Sequence, residues 1–318
     1  MNHSACVVVV AFACSESSTT SVVVPDDLAA VDSMAGLDVS EPDAGSADVP
    51  DVAPEADVVA LPLPCNGAAE LCGRRFDEVC FPMTHNSMSN ADAEWIAPNQ
   101  THGITRQLKD GIRGLMLDVH PFEGQTWLCH GYCEIGKQLL TDGLGELRDF
   151  LAENPREIVS IIFEPHVPAP EVVAGVIAAG LESLVYTHPG GEWPTLEAMI
   201  AADTRLVLFT ESDGGDPPWY HSAWTWISDT NYSAKVPSDL TCDLNRGDAS
   251  NELFLINNFM GNPLPGADLA AQVNVSPFLA DRATACAAAR EHLPNFIGVD
   301  FYEIGDLFEV VRAVNGLR

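Results

Sequence analysis

Apolar runs in this chain repeatedly stop on a residue that can titrate or bind a metal, and that repetition constrains the fold more than any other feature. The run Glu78-Val79-Cys80 reads as a first strand, leading through Phe81-Pro82-Met83-Thr84 to His85, Asn86 and Ser87. Arg113-Gly114-Leu115-Met116-Leu117-Asp118-Val119 ends at Asp118 and His120, and Thr126-Trp127-Leu128-Cys129 ends at His130. Ile158-Val159-Ser160-Ile161-Ile162-Phe163 ends at Glu164 and His166. Nearly continuous apolar runs are what strands buried on both faces require, as in a parallel barrel. Reactive side chains gathered at strand ends read as the catalytic rim of a β/α barrel.

Helical spacing separates these runs. Leu140, Leu144, Leu147 and Leu151 recur every three to four residues and stop at Asn154-Pro155. Further helix and strand pairs are expected at 170–179 before Leu184-Val185-Tyr186, and at 196–202 before Leu206-Val207-Leu208-Phe209. Leu253-Phe254-Leu255-Ile256-Asn257 and Phe296-Ile297-Gly298-Val299-Asp300 supply the last strands, with a closing helix marked by Leu307, Val310, Val311 and Val314. Roughly eight strands in βα alternation over ~255 residues predict an α/β fold of the (β/α)8 type. The stretch 211–250 reads as a long irregular insertion rich in Trp219, Tyr220, Trp224, Trp226 and Tyr232, suited to an active-site wall or lid.

The first 63 residues have a different composition. Cys6 to Ala13 is a short apolar run closing on Ala11-Phe12-Ala13-Cys14, which looks like a bacterial lipoprotein signal over 1–14, with Cys14 the lipidated residue. It lacks Lys or Arg before the run and has Ala where Leu is usual. An ordinary secretory signal is the alternative, and either implies export to the cell envelope or beyond. Residues 15–63 have neither helical nor strand period and read as a disordered acidic tether. Residues 64–318 are then the folded domain, expected to act as a monomer. Formal net charge is −31. Eleven of the 46 acids and none of the 15 bases precede residue 64, so the remainder still carries about −20. Such a surface repels nucleic acid phosphates.

Seven cysteines lie beyond the signal. Close spacing suggests Cys65–Cys72 and Cys129–Cys133, leaving Cys242–Cys286 and a free Cys80, although spacing alone does not fix connectivity. No pair of C-x-x-C motifs is present to suggest zinc.

Taken together, Pro82-Met83-Thr84-His85-Asn86-Ser87, Gln107-Leu108-x-x-Gly111-Ile112-Arg113-x-Leu115-Met116-Leu117-Asp118, Trp127-Leu128-Cys129-His130 and Pro294-Asn295-Phe296-Ile297-x-Val299-Asp300-Phe301-Tyr302 resemble the X domain of phosphatidylinositol-specific phospholipase C, in its single-domain bacterial and plant form. The resemblance covers almost everything from Pro64 onward. It implies cleavage of a phosphodiester through a cyclic phosphate, the inositol 2-hydroxyl attacking phosphorus. His85 resembles the general base and His130 the general acid. Asp300 is placed to orient His85. The resemblance also implies Ca²⁺, because an acid, Asp118, stands where metal-independent members carry an arginine. Asn86, Asp118 and Glu164 match three oxygen ligands, while Met116 replaces the fourth, leaving His120, Glu123 or water to complete the shell. Trp226 and Tyr302 are weaker candidates for contact with substrate.

The charge near −20 disfavours an anionic bilayer unless Ca²⁺ bridges it, so a soluble, neutral-surface or lipid-anchored phosphodiester is the expected substrate. Two alternatives remain. Glycerophosphodiesterase- and sphingomyelinase-D-like barrels also pair two histidines with a divalent ion, but they favour a Glu-x-Asp pair where this chain has Met116-Leu117-Asp118. A surface binding protein that kept the barrel and lost turnover is the other.

Overall fold

The computed structural model describes residues 63–261 and 263–317. The expected signal with Cys14, and all of the tether but Leu63, lie outside the described residues. In chain order the elements are β1 (Phe81–Thr84), α1 (Ile104–Asp110), β2 (Gly114–Phe122), β3 (Gln125–Leu128), β4 (Gln138–Leu139), α2 (Leu140–Glu153) and β5 (Val159–Pro165). These are followed by α3 (Ala169–Ala178), α4 (Leu196–Ala201), β6 (Leu206–Thr210), β7 (Tyr220–Ser222), α5 (Ala223–Trp226) and β8 (Ile227–Asp229). The chain closes with β9 (Leu253–Asn258), α6 (Ala267–Val273), α7 (Phe278–Arg290), β10 (Phe296–Val299) and α8 (Leu307–Val314).

Eight strands form one curled parallel sheet in the order β7-β6-β5-β2-β1-β10-β9-β8. Among the described residues no ladder joins β7 to β8, so the barrel-like sheet is open on that side. Side-chain parity divides its core in two. Phe81, Met83, Met116, Ile162, Val207, Phe209, Leu255 and Phe296 fill the inside of the curl. Their neighbours Leu115, Leu117, Ile161, Phe163, Leu208, Ile256 and Ile297 face out and pack with Leu144, Leu147, Val172 and Ala283 of the helices. Each such side chain, when fully buried, contributes ~2 kcal/mol, and a one-residue slip would turn a whole strand over. Gly114 serves this interior: a Cβ there would come 2.5–2.9 Å from Met83.

Three strand expectations change. Glu78-Val79-Cys80 is not a strand, because Phe76–Glu78 is a 3-10 turn and the Asn315 amide takes both backbone groups of Cys80. Leu184-Val185-Tyr186 makes only an isolated bridge from Val185 to Leu206, after the turn Glu182–Leu184. The strands needed in its place come from the insertion, as β7 and β8, each too short to show a period. Finally, β3 is no barrel strand; it folds back antiparallel on β2. The three disulfides are Cys65–Cys72, Cys129–Cys133 and Cys242–Cys286, and Cys80 is free and buried.

Candidate functional site

The inward parity of the strands runs one step past their ends. His85 follows Met83 by two residues, Asp118 follows Met116, Glu164 follows Ile162, Glu211 follows Phe209 and Asp300 follows Gly298. Asp118 and Glu164 are register partners on β2 and β5, and the Glu211 amide donates to the Phe163 carbonyl beside them. One mouth therefore receives a histidine and four acids.

The turn at the end of β1 is held from several sides. Thr84 Oγ1 donates to Gln107 Oε1 at 2.7 Å, Gln107 Nε2 donates to the Ser87 carbonyl, and the Met116 amide donates to Ser87 Oγ. Gln100 Nε2 donates to the His85 carbonyl. Asn86 sits at φ 44°, a left-handed conformation that asparagine adopts more readily than most residues. On that base, His85 Nδ1 lies 2.9 Å from Asp300 Oδ1, which also accepts from Asn99 Nδ2 at 3.1 Å. The imidazole stacks on Phe259, with centroids 3.6 Å apart and planes 3° apart. Asp300 as acceptor fixes the proton on Nδ1 and leaves the Nε2 lone pair facing the hollow.

His130 arrives differently. The β2–β3 hairpin overshoots the mouth and returns, so that the Cys129 amide meets the Asp118 carbonyl and His130 stands at the rim. His85, His130, Asn99, Phe259, Asp300 and Lys235 line one hollow. Desolvation by the protein around the rim and then the nearby His85 hold the His130 pKa below its usual value, although much of the residue's surface stays open. No hydrogen bond among the described residues holds its ring.

An adjoining hollow is lined by His85, Asn86, Asp118, Glu164, Glu211 and Arg246. Burial, followed by Glu164 and Glu211, pushes the Asp118 carboxyl well above the carboxylate range. Burial raises Glu211 to about 7, against the opposing pull of Arg246. Arg246 is committed elsewhere as well: it pairs with buried Asp229 at 2.7 Å and with Glu211 at 2.8 Å, and its guanidinium lies between Trp224 and Tyr232. Three adjacent carboxylates with an asparagine are a donor set suited to a hard, oxygen-seeking cation. They are not drawn tightly together. Among the described residues, the one group of three His, Cys, Asp or Glu ligand atoms within 4.8 Å is Cys65, Cys72 and Glu197, and both its cysteines are in a disulfide.

Other expected participants lie elsewhere. Tyr302 is buried with its hydroxyl donating to Asp110 Oδ2 at 2.8 Å, and Trp226 packs edge-on against His188 and Trp193. Neither lines the two hollows, since an aromatic motif does not declare which face it presents. His120 stacks on His166, and Glu123 occupies the hairpin turn at φ 49°, so neither joins Asp118. Glu211 does: in sequence it looks like the start of an insertion, yet it stands two residues past Phe209, at the strand end of Leu206-Val207-Leu208-Phe209. Asn99, Phe259 and Arg246 sit in loops with no such signal.

The PI-PLC X family model (PI-PLC X 1) matches residues 71–315. A PI-PLC X domain-containing protein of Arabidopsis thaliana is 31% identical over 77% of this chain and 63% of its own length. An uncharacterized secreted protein of the fungus Arthroderma benhamiae is 30% identical over 80% of this chain and 64% of its own length. The chain thus spans less than two thirds of either relative. Among solved structures, the phosphatidylinositol-specific phospholipase C of Listeria monocytogenes superposes with a TM-score of 0.53 at 16% identity, covering 81% of this chain and 96% of that one. A variant of the Staphylococcus aureus phospholipase C gives 0.53 at 13% identity over 78% and 95%. Likeness at that identity establishes the fold.

Proposed function

From the premise that the chain belongs to the PI-PLC X family, we propose that it is an exported phosphodiesterase working by two-histidine acid–base catalysis. The observation that carries this reading is the pair His85 and His130 lining one hollow, with His85 Nδ1 tied to Asp300 at 2.9 Å.

In the reaction, a hydroxyl neighbouring the phosphodiester attacks phosphorus. His85 Nε2 takes its proton, Asp300 stabilises the resulting imidazolium, and His130 gives a proton to the departing alkoxide. The products are a cyclic phosphodiester and the released alcohol. The depressed His130 pKa makes it a ready donor once protonated, and it loses that proton as pH rises. Ca²⁺, when bound, would supply positive charge against the phosphate oxygens, held by Asn86, Asp118 and Glu164 with Glu211 in place of the acid missing at Met116. The strongly acidic surface favours phosphodiesters presented in solution or on a neutral surface. A lipid anchor at Cys14 belongs to the same proposal.

The test is turnover of phosphatidylinositol in neutral detergent micelles by the full chain, with Ca²⁺ and with EDTA, followed by phosphorus NMR. Cyclic inositol phosphate that disappears with EDTA and in His130→Ala is the expected result. Cyclic product that survives EDTA would remove the metal from the scheme, and no product from any phosphodiester with a neighbouring hydroxyl would overturn the enzyme reading.

A further inference from the structure

We propose that the Cys129–Cys133 disulfide is the positioning element of His130, clamping covalently the loop that carries a ring held by no hydrogen bond among the described residues. The inference rests on the reading of His130 as the proton donor. The loop Cys129-His130-Gly131-Tyr132-Cys133 has buried ends and an open middle: both cysteines are buried, whereas His130, Gly131 and Tyr132 are exposed, Tyr132 by 75%. Gly131 turns the loop at φ 73°, and a Cβ placed there would meet nothing within 4 Å. The middle of the loop therefore has no apolar anchor of its own. It has a fixed base, because the Cys129 amide bonds the Asp118 carbonyl on β2 and the disulfide returns Cys133 to the same place.

Loop length points the same way. A disulfide restrains the unfolded chain more strongly the longer the loop that it closes. Cys242–Cys286 closes a sequence separation of 44 and Cys129–Cys133 one of 4. The short bridge contributes least to global stability and lies closest to the mouth, so its main effect is local. Without it, the loop keeps the Cys129-to-Asp118 hydrogen bond at its base and two turn hydrogen bonds, from the Tyr132 amide to the His130 carbonyl and from the Ile135 amide to the Tyr132 carbonyl, none of which holds the imidazole. A displacement of about 1 Å in a proton donor is enough to cost on the order of a hundredfold in rate.

The experiment compares Cys129→Ser/Cys133→Ser with Cys242→Ser/Cys286→Ser in the full chain, on phosphatidylinositol in neutral micelles, with 13C relaxation of the histidine rings measured beside turnover. The clamp predicts that the first pair lowers kcat tenfold or more, leaves KM within threefold and disorders the His130 ring while His85 stays ordered. It also predicts that the second pair lowers the melting temperature more and kcat less. Unchanged kcat with an ordered His130 ring in the first pair would overturn the clamp. Should the unmodified chain show no turnover, the phosphodiesterase reading fails by itself, and ring order still decides on the clamp. If buried serine hydroxyls block folding, Cys129→Ala/Cys133→Ala replaces the pair. A His130 ring already disordered in the intact disulfide form would overturn the proposal directly.

Discussion

His85 is fixed by contacts from distant parts of the chain, whereas His130 is fixed by the closure of its own loop. Asp300, Asn99 and Phe259 reach His85 from three other segments, giving it a hydrogen bond, a shared acceptor and a stacking face. His130 has a hairpin that returns it to the mouth and a disulfide beneath it. The difference follows from position. A residue ending a central strand is surrounded by other strand ends that can supply partners, and a residue on an excursion from the sheet must bring its own restraint.

Removing either ring tests the common ground of the comparison: His85→Ala and His130→Ala should each lower kcat on phosphatidylinositol by ~10³-fold. Asp300→Asn separates the two modes. It should cost ~10²-fold or more in kcat by unsettling the His85 tautomer, and leave the His130 ring order measured by NMR unchanged. Phe259→Ala removes only the stacking face, so a fall in kcat of about tenfold with little change in melting temperature is expected.

Acid pairing in the adjoining hollow can be read through pH. Glu211 titrates near 7 in the folded chain because of burial, and near the ordinary carboxylate value when unfolded. A raised folded pKa means that the native state holds the extra proton, so its stabilising contribution is full below the unfolded value and is lost as pH rises through 7. In EDTA, the unfolding free energy measured with urea should therefore fall between pH 5 and pH 8 by an amount on the order of 2 kcal/mol, and Glu211→Gln should flatten that slope. The same substitution should weaken Ca²⁺ binding tenfold or more by calorimetry if Glu211 replaces the acid missing at Met116. The smallest effect belongs to Tyr302→Phe. It should cost about 1 kcal/mol of stability for the lost bond to Asp110 and leave kcat unchanged, because Tyr302 lines neither hollow.

The sequence by itself determined the parity of the sheet and therefore the mouth. Continuous apolar runs at 114–119, 158–163, 206–209, 253–257 and 296–299 had to be buried parallel strands, and a period of two dictates that His85, Asp118, Glu164 and Asp300 point where the interior opens. The Cys65–Cys72 and Cys129–Cys133 pairings that close spacing suggests are present, as is Cys242–Cys286, the pair left over. Apart from Asp300 beside His85, which the family resemblance implied, tertiary structure alone decided the partners. Asn99 and Asp300 are 201 residues apart, Glu211 and Arg246 are 35 apart in an aperiodic stretch, and β7 and β8 are three residues each. Local sequence encodes which face a side chain takes, because that follows from backbone geometry within a few residues. It does not encode which distant atom meets that side chain, because hydrogen bonds and stacking form only where the folded chain has already brought two loops within a few ångströms.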